Sequence, residues 1–282
     1  MSVSLDWQKA WAIAPKFTGG ISVLSSLALV YIILRNPRKK NKNKSYHRII
    51  LGISICDVLA STAWFFSTWP KPQGTDGVYG AIGTEATCSL QGFFAQFSIS
   101  TIFYNGVLSI YYLLILDQKW SKKRFYKIEP FLHMISLTWG ISTSIAGVAL
   151  ELFNPSGWSC WISRQPSDCI SSWKRGQAEP NCYRGNNAEY FVWIFFYAPL
   201  WIIIISITFC MTRVYWTVSQ EEKQYIASIT EGQVEFNEVQ DEPKPKKNSR
   251  RLANRAGLYV GAFYLTWIMP TILELISLSS SK

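Results

Sequence analysis

The sequence predicts an all-α protein, a polytopic bundle of transmembrane helices, and three observations predict it. Six stretches are long and apolar enough to cross a hydrocarbon core about 30 Å thick, which takes roughly 20 helical residues. The 282-residue chain is 49% hydrophobic and 15% aromatic but only 16% charged, against roughly 25% charged in a soluble globular protein. The basic residues, 28 Lys+Arg against 18 Asp+Glu, gather between alternate stretches. This composition excludes a wholly disordered chain, which needs low hydrophobicity. It also excludes a small disulfide scaffold, because 6 Cys are too dilute in a chain of this length.

The first stretch, 17–34, carries no charge. The segment before it, 1–16, lacks the basic and then apolar layout of a cleaved signal and is expected to be an outer N-terminus. The second stretch, 49–69, holds one charge, Asp57, and the third, 88–116, holds none and is long enough to cross at a steep tilt. The fourth, 131–153, has His133 near its start and Glu151 near its end. The fifth, 190–211, is uncharged, and the sixth, 256–278, has Glu274 near its end. All six are apolar most of the way round, as lipid-facing helices are, whereas soluble helices of this length are amphipathic. Polar loops dilute the mean hydropathy to +0.08. Trp69, Trp120, Trp158, Trp161, Trp193 and Trp216 lie near predicted ends, where aromatic residues anchor helices at both interfaces.

The charges orient the chain. Arg35, Arg38, Lys39, Lys40, Lys42, Lys44 and Arg48 lie between stretches one and two. Lys119, Lys122, Lys123, Arg124 and Lys127 lie between three and four. A third group, including Lys244, Lys246, Lys247, Arg250, Arg251 and Arg255, lies between five and six. Basic loops stay in the cytoplasm, so the N-terminus is expected outside. Division among three loops beside spans leaves no basic groove for nucleic acid, although such loops can touch anionic lipid heads. The segment 216–255 reads as a cytoplasmic loop whose first part prolongs helix five. Its middle, with an acidic block, a basic block and two Pro, reads as a disordered linker.

Cys56 and Cys210 lie inside spans as small buried hydrophobes. Cys88, Cys160, Cys169 and Cys182 all fall on the predicted outer, oxidising side. Four cysteines allow three connectivities. A Cys88 to Cys160 bond would pin the 154–189 loop over the mouth of the bundle, and Cys169 with Cys182 would then close a local loop.

An outward N-terminus, a Cys at the outer end of a long third span and a Cys in the second outer loop together resemble the heptahelical G-protein-coupled receptors. The string GISICDVLAS around Asp57 is similar to the Asp motif of their second span. CSLQGFFAQF and YNGVLSIYYLLIL in span three resemble the cyclic-AMP-receptor-like branch of protists, as does GWSCWI around Cys160. Trp139 in span four, Pro199 in span five and TWIMP in span six, with Trp267 and Pro270, are similar to receptor elements at the same places. The resemblance runs over roughly 20–269. It implies a heterotrimeric G protein at the inner loops, with Lys119, Lys122, Lys123, Arg124, Arg250 and Arg251 as contact candidates, and an extracellular ligand whose identity the sequence does not give.

Two departures stand out. The inner end of span three reads ILDQKW, with Asp117 and Lys119, and not Asp/Glu-Arg-Tyr. The chain also ends ISLSSSK directly after the sixth stretch. A seventh span is therefore expected to be missing, as in a truncated gene product or a non-signalling receptor fragment. No Lys lies inside the six stretches, so no retinal Schiff base, nor any other cofactor, is expected.

Asp57 is the one mid-span carboxylate, and such groups face the bundle interior and mark function. It is expected to act in an intramembrane polar switch, with Asn105 as its partner. Glu151, Glu274 and Trp267 are candidates for lining an outer ligand pocket. Pro199 and Pro270 are expected to kink spans five and six. His133 is expected to be an interfacial or packing residue. With only 2 His in the chain, no His-based metal site is expected. A transporter would show repeats, and the two halves are not alike. An intramembrane hydrolase needs a nucleophile with its base or two facing Asp, and only one Asp lies in a span.

Overall fold

The structure is a computed structural model. It describes residues 5–35, 44–166, 169 and 182–230, and in the sixth stretch 258, 261, 264–266, 268, 271 and 272. Helices dominate: α1 (Leu5–Arg35), α2 (Lys44–Phe66), α3 (Glu85–Phe97), α4 (Ile99–Tyr112), α5 (Lys122–Ala149), α6 (Ala188–Val192) and α7 (Ala198–Thr230). Two wide π turns, Leu113–Asp117 and Trp193–Tyr197, extend α4 and join α6 to α7. Among the described residues, five continuous helical runs are long and apolar enough to cross a membrane: Gln8–Arg35, Ser45–Phe66, Glu85–Asp117, Lys122–Ala149 and Ala188–Glu221. The sixth stretch falls largely outside the described residues.

The helices differ from the predicted stretches mainly by being longer. Span one begins at Leu5, inside the expected outer tail, and so takes in Lys9 and Lys16. Lys16 caps the end of α2, donating to the Phe66 carbonyl at 3.3 Å and standing 3.5 Å over the Trp69 ring. Span four begins at Lys122 rather than 131, because the helix continues through Pro130, and it stops at Ala149 rather than 153. Glu151 takes a positive φ of 53° there, which no helix continues. Span five runs on to Thr230, well past 211.

One feature lies outside the all-α expectation. Strands β1 (Phe153–Ser156) and β2 (Ser159–Ile162) form an antiparallel hairpin in which Phe153 pairs with Ile162 and Ser156 with Ser159. Gly157, at φ +47°, supplies the left-handed backbone of its two-residue turn.

The chain divides into two compact units, Met1–Asn105 with Glu129–Leu200, and Gly106–Ile128 with Trp201–Lys282. In the first, Gly19 lets α1 approach α2 until a Cβ there would lie 2.9 Å from the Phe65 backbone nitrogen. Small residues at helix contacts replace the hydrophobic drive that lipid removes. The outer faces of these helices are apolar instead: Phe17, Ile21 and Leu24 are all exposed. Span three is the interior helix, with 56% of its apolar window buried against 11% for span one.

Phe153 shows how tightly the hairpin seats on the helices. It is buried between Gly92 of α3 and Gly147 of α5, where added Cβ atoms would lie 2.5 Å and 2.3 Å from its side chain. Gly92→Ala is therefore expected to cost about 1–3 kcal/mol by overpacking, read as a lower Tm of the detergent-purified chain. An unchanged Tm would show that the hairpin yields freely.

In the second unit, Ile207 and Met211 pack with Tyr112 and Ile203, and Val214 and Val218 with Leu113 and Leu116. Tyr111 meets Phe125 edge to face at 5.0 Å. Tyr264, in the sixth stretch, meets the Thr208 hydroxyl of α7.

Candidate functional site

The disulfide end of the first unit is built around two buried amides of α3. Thr84 and Thr87 start that helix with a reciprocal capping pair. One turn on, Cys88 bonds to Cys160 of β2, with Cα atoms 5.3 Å apart. Gln91 fills all its roles at once: Nε2 donates to Ala63 O (2.9 Å) and Ser67 O (2.8 Å), and Oε1 accepts the Cys160 N–H (2.9 Å). Gln96 accepts from Trp161 Nε1 at 3.1 Å and donates to Thr143 Oγ1 and to Phe195 O, each at 3.2 Å. The hairpin is thus fastened to span three by a covalent bond and two fully satisfied amides. Arg184 closes the far side, bonding Asn154 Oδ1 and Glu85 Oε2, each at 2.9 Å. Cys169 and Cys182 form a second, local disulfide.

The Phe195 carbonyl is free for Gln96 because of Pro199. Proline lacks an N–H and its ring displaces the carbonyl four residues back, which here is Phe195. The wide turn Trp193–Tyr197 precedes Pro199, and Trp139 Nε1 also donates to Phe195 O, at 3.3 Å. The proline's effect is therefore a bulge whose orphaned acceptor ties spans three and four to span five.

Lys71 lies in the loop between α2 and α3. It is 1% exposed, and its Nζ donates to Gly157 O at 2.6 Å. Burial pulls its pKa down to about 8 from 10.5. A folded state that disfavours the ammonium binds fewer protons than the unfolded chain over that interval. Stability is therefore expected to rise as pH goes from 8 to 10.5, and Lys71→Met is expected to remove that rise in thermal unfolding.

At mid-membrane, the Asp57 carboxylate accepts from Ser22 (2.9 Å) and Ser26 (2.6 Å), and Ser61 donates to Ser22. These two hydroxyls of span one are partners that the sequence alone does not name. Asn105 itself is buried in α4. The apolar stretch 17–34 is uncharged and offers no signal beyond its serines at helical spacing.

Further along, Glu129 of α5 is a nearly buried carboxylate outside the predicted stretches. It accepts from Arg48 Nε (2.5 Å), Arg48 Nη2 (2.7 Å) and Ser45 Oγ (2.6 Å). His133, one turn on, places Nε2 3.6 Å from Glu129 and Nδ1 3.0 Å from the Tyr104 hydroxyl. Gly52 leaves room for that Tyr104 ring, which a Cβ would meet at 2.8 Å. His133 thus packs against the Tyr104 ring and bridges spans three and four.

In the second unit, Asp117 accepts from Thr217 and from Gln118, with Arg213 Nη2 at 3.7 Å, and Lys119 pairs with Glu221 at 3.1 Å. Spans three and five are therefore clamped where the sequence reads DQKW. Lys122, Lys123 and Arg124 are exposed, the last lying 3.9 Å over the Trp120 ring. Glu151 is exposed just past α5. Trp267, Pro270, Glu274, Arg250 and Arg251 lie outside the described residues. Among the described residues, no group of three His, Cys, Asp or Glu is placed to hold a metal ion.

Comparison with known proteins bears on this frame. The family model described as 7 transmembrane receptor (rhodopsin family) matches residues 26–282. The ascaroside receptor GPR2 of Arthrobotrys oligospora is 22% identical over 214 residues, covering 74% of this chain and 46% of that protein. The chain thus spans about half the length of that curated relative. The crystal structure of squid rhodopsin superposes with a TM-score of 0.64 at 16% identity, over 98% of this chain and 70% of that one.

Proposed function

This chain belongs to the rhodopsin family of 7-transmembrane receptors, and from that premise we propose that it is a transmembrane signalling receptor. It takes an external ligand at its disulfide end and acts on a heterotrimeric G protein through its basic loops. One observation carries the reading furthest. Span three, the most buried of the described spans, is bonded to the hairpin through Cys88–Cys160 and clamped to span five through Asp117 and Lys119. A shift of the hairpin on ligand binding therefore pulls on the helix that holds the inner contact.

The charge pattern supports an outward N-terminus, with Lys119, Lys122, Lys123, Arg124, Arg250 and Arg251 facing the cytoplasm, and a receptor for an external ligand belongs at the plasma membrane. The finer kinship with the cyclic-AMP-receptor-like branch rests on the span-three strings and the GWSCWI element. The name of the Arthrobotrys oligospora relative makes an ascaroside the first probe to try.

Two measurements test the reading. On intact cells, an N-terminal tag is expected to bind antibody without permeabilisation. In membranes, an ascaroside is expected to raise guanine-nucleotide exchange on added G protein, with Ala at Lys122, Lys123 and Arg124 lowering it. A tag reached only after permeabilisation overturns the orientation. Exchange that is equal with and without the chain, across the G-protein classes, overturns the function.

A further inference from the structure

Between Asp117 and Glu129 the chain carries Lys119, Lys122, Lys123, Arg124 and Lys127 and no acidic residue. The carboxylates that bracket this run are engaged elsewhere. Asp117 is held by Thr217 and Arg213, and the buried Glu129 by Arg48 and Ser45. Lys119 is paired with Glu221.

Helix geometry sorts the remaining cations. Phe125 is fully buried and meets Tyr111 edge to face, which fixes the rotation of the first turns of α5. At about 100° per residue, Lys123, Arg124 and Lys127 fall on the face opposite Phe125, and all three are exposed. Lys123 and Lys127 stand one turn apart, as like charges that repel. Arg124 lies 3.9 Å over the Trp120 ring. The stack holds the guanidinium plane while its edge presents N–H donors in the fork that suits a phosphate.

Depth in the bilayer selects the partner. The apolar run of this helix begins at 131. At about 1.5 Å per residue, Lys127 lies about 6 Å outside the hydrocarbon, and Arg124 and Lys123 about 10 and 12 Å outside it. The headgroup layer is roughly 5–8 Å deep on each side. Lys127 therefore stands level with the lipid phosphodiesters and the other two at the water edge of that layer. A serine or choline headgroup carries no phosphate so far out. A phosphorylated inositol ring holds its extra phosphates there, beyond its own phosphodiester.

We propose that Lys123, Arg124 and Lys127 bind the headgroup of a polyphosphorylated inositol lipid, Lys127 on the phosphodiester and Lys123 with Arg124 on the ring phosphates. The inference rests on the orientation proposed above only for which leaflet supplies the lipid. Lys123 and Arg124 are also G-protein contact candidates, but binding by the detergent-purified chain is read without G protein or sidedness. A failure here leaves the receptor reading standing, and an inverted N-terminal tag leaves lipid binding intact.

Native mass spectrometry of the full chain gives an apparent Kd for phosphatidylinositol 4,5-bisphosphate, phosphatidylinositol and phosphatidylserine. The bisphosphate is expected to bind about 30-fold tighter than phosphatidylinositol, because it engages two further cations at about fivefold each. Lys123→Gln and Arg124→Gln are each expected to weaken the bisphosphate about fivefold and to leave phosphatidylinositol unchanged, whereas Lys127→Gln weakens both. Changing Lys244, Lys246 and Lys247 to Gln, in another basic segment, is expected to leave all affinities unchanged. The Tm of each variant without added lipid checks that it folds; should one fail, the other two single changes carry the test.

The proposal is overturned if phosphatidylinositol or phosphatidylserine binds as tightly as the bisphosphate, or if Lys123→Gln and Arg124→Gln leave the bisphosphate affinity unchanged. It is equally overturned if the Lys244, Lys246 and Lys247 changes abolish binding. Inositol 1,4,5-trisphosphate, the headgroup without its lipid, is expected to displace the bisphosphate poorly. Displacement at equal concentration would make a free phosphate the ligand and overturn the lipid assignment.

Discussion

Replacing Cys88 or Cys160 with Ser is expected to destabilise the chain by about 4 kcal/mol. The bond closes a loop with a sequence separation of 72, and the entropy withheld from the unfolded chain grows with loop length. The consequence is also local. Without the bond, the hairpin keeps its hydrogen bonds to Gln91 and Gln96, each neutral one contributing about 1 kcal/mol, and the Arg184 bridge from Asn154 to Glu85. Phe153 then loses its hold between Gly92 and Gly147. Cys169→Ser removes a bond with a separation of only 13, outside the hairpin, and is expected to spare the hairpin. Thermal unfolding together with non-reducing peptide maps makes the comparison. A Cys88→Ser chain with wild-type Tm and an unchanged map would contradict both the pairing and its weight.

Glu129→Ala is expected to cost about 3 kcal/mol, the lower end for breaking a buried ion pair, because the Arg48 side chain is 42% exposed while that of Glu129 is 3% exposed. Three donor groups lose their acceptor at once: Arg48 Nε, Arg48 Nη2 and Ser45 Oγ. Glu129→Gln keeps an oxygen acceptor but removes the charge, so it is expected to fall between. The decisive measurement is a double-mutant cycle with Arg48→Ala. The two changes together are expected to cost less than their sum, since each alone already breaks the pair that both remove. Additive losses would mean that the pair contributes nothing beyond its separate packing.

How far each feature was legible depends on how many helices it involves. The spans themselves were legible, because every backbone polar group in lipid must be satisfied within its own helix. That demand writes itself into one contiguous apolar run at a time. Pro199 was visible as a kink for the same reason, being a property of its own helix. The receptor of its freed carbonyl was not, because Gln96 and Trp139 reach Phe195 from two other spans. Asp57 was visible as a costly charge, while its partners, Ser22 and Ser26, depend on the rotation of α1 against α2. Glu129 lies just before the fourth apolar stretch, 131–153, and so fell among the loop residues, yet the helix runs through from Lys122.

The amino-acid sequence by itself determined that this chain threads a bilayer, and which loops carry the positive charge. These follow from the transfer of single segments between water and lipid, a sum over neighbouring residues. Only the tertiary structure decided what the polar groups inside that frame do. Lys71 is buried against Gly157, Glu129 holds Arg48, Asp117 ties span three to span five, and a β-hairpin seats on Gly92 and Gly147. Each of these joins residues distant in the chain. Their pairing is set by the mutual rotation and approach of helices and loops, which no single segment's hydropathy encodes.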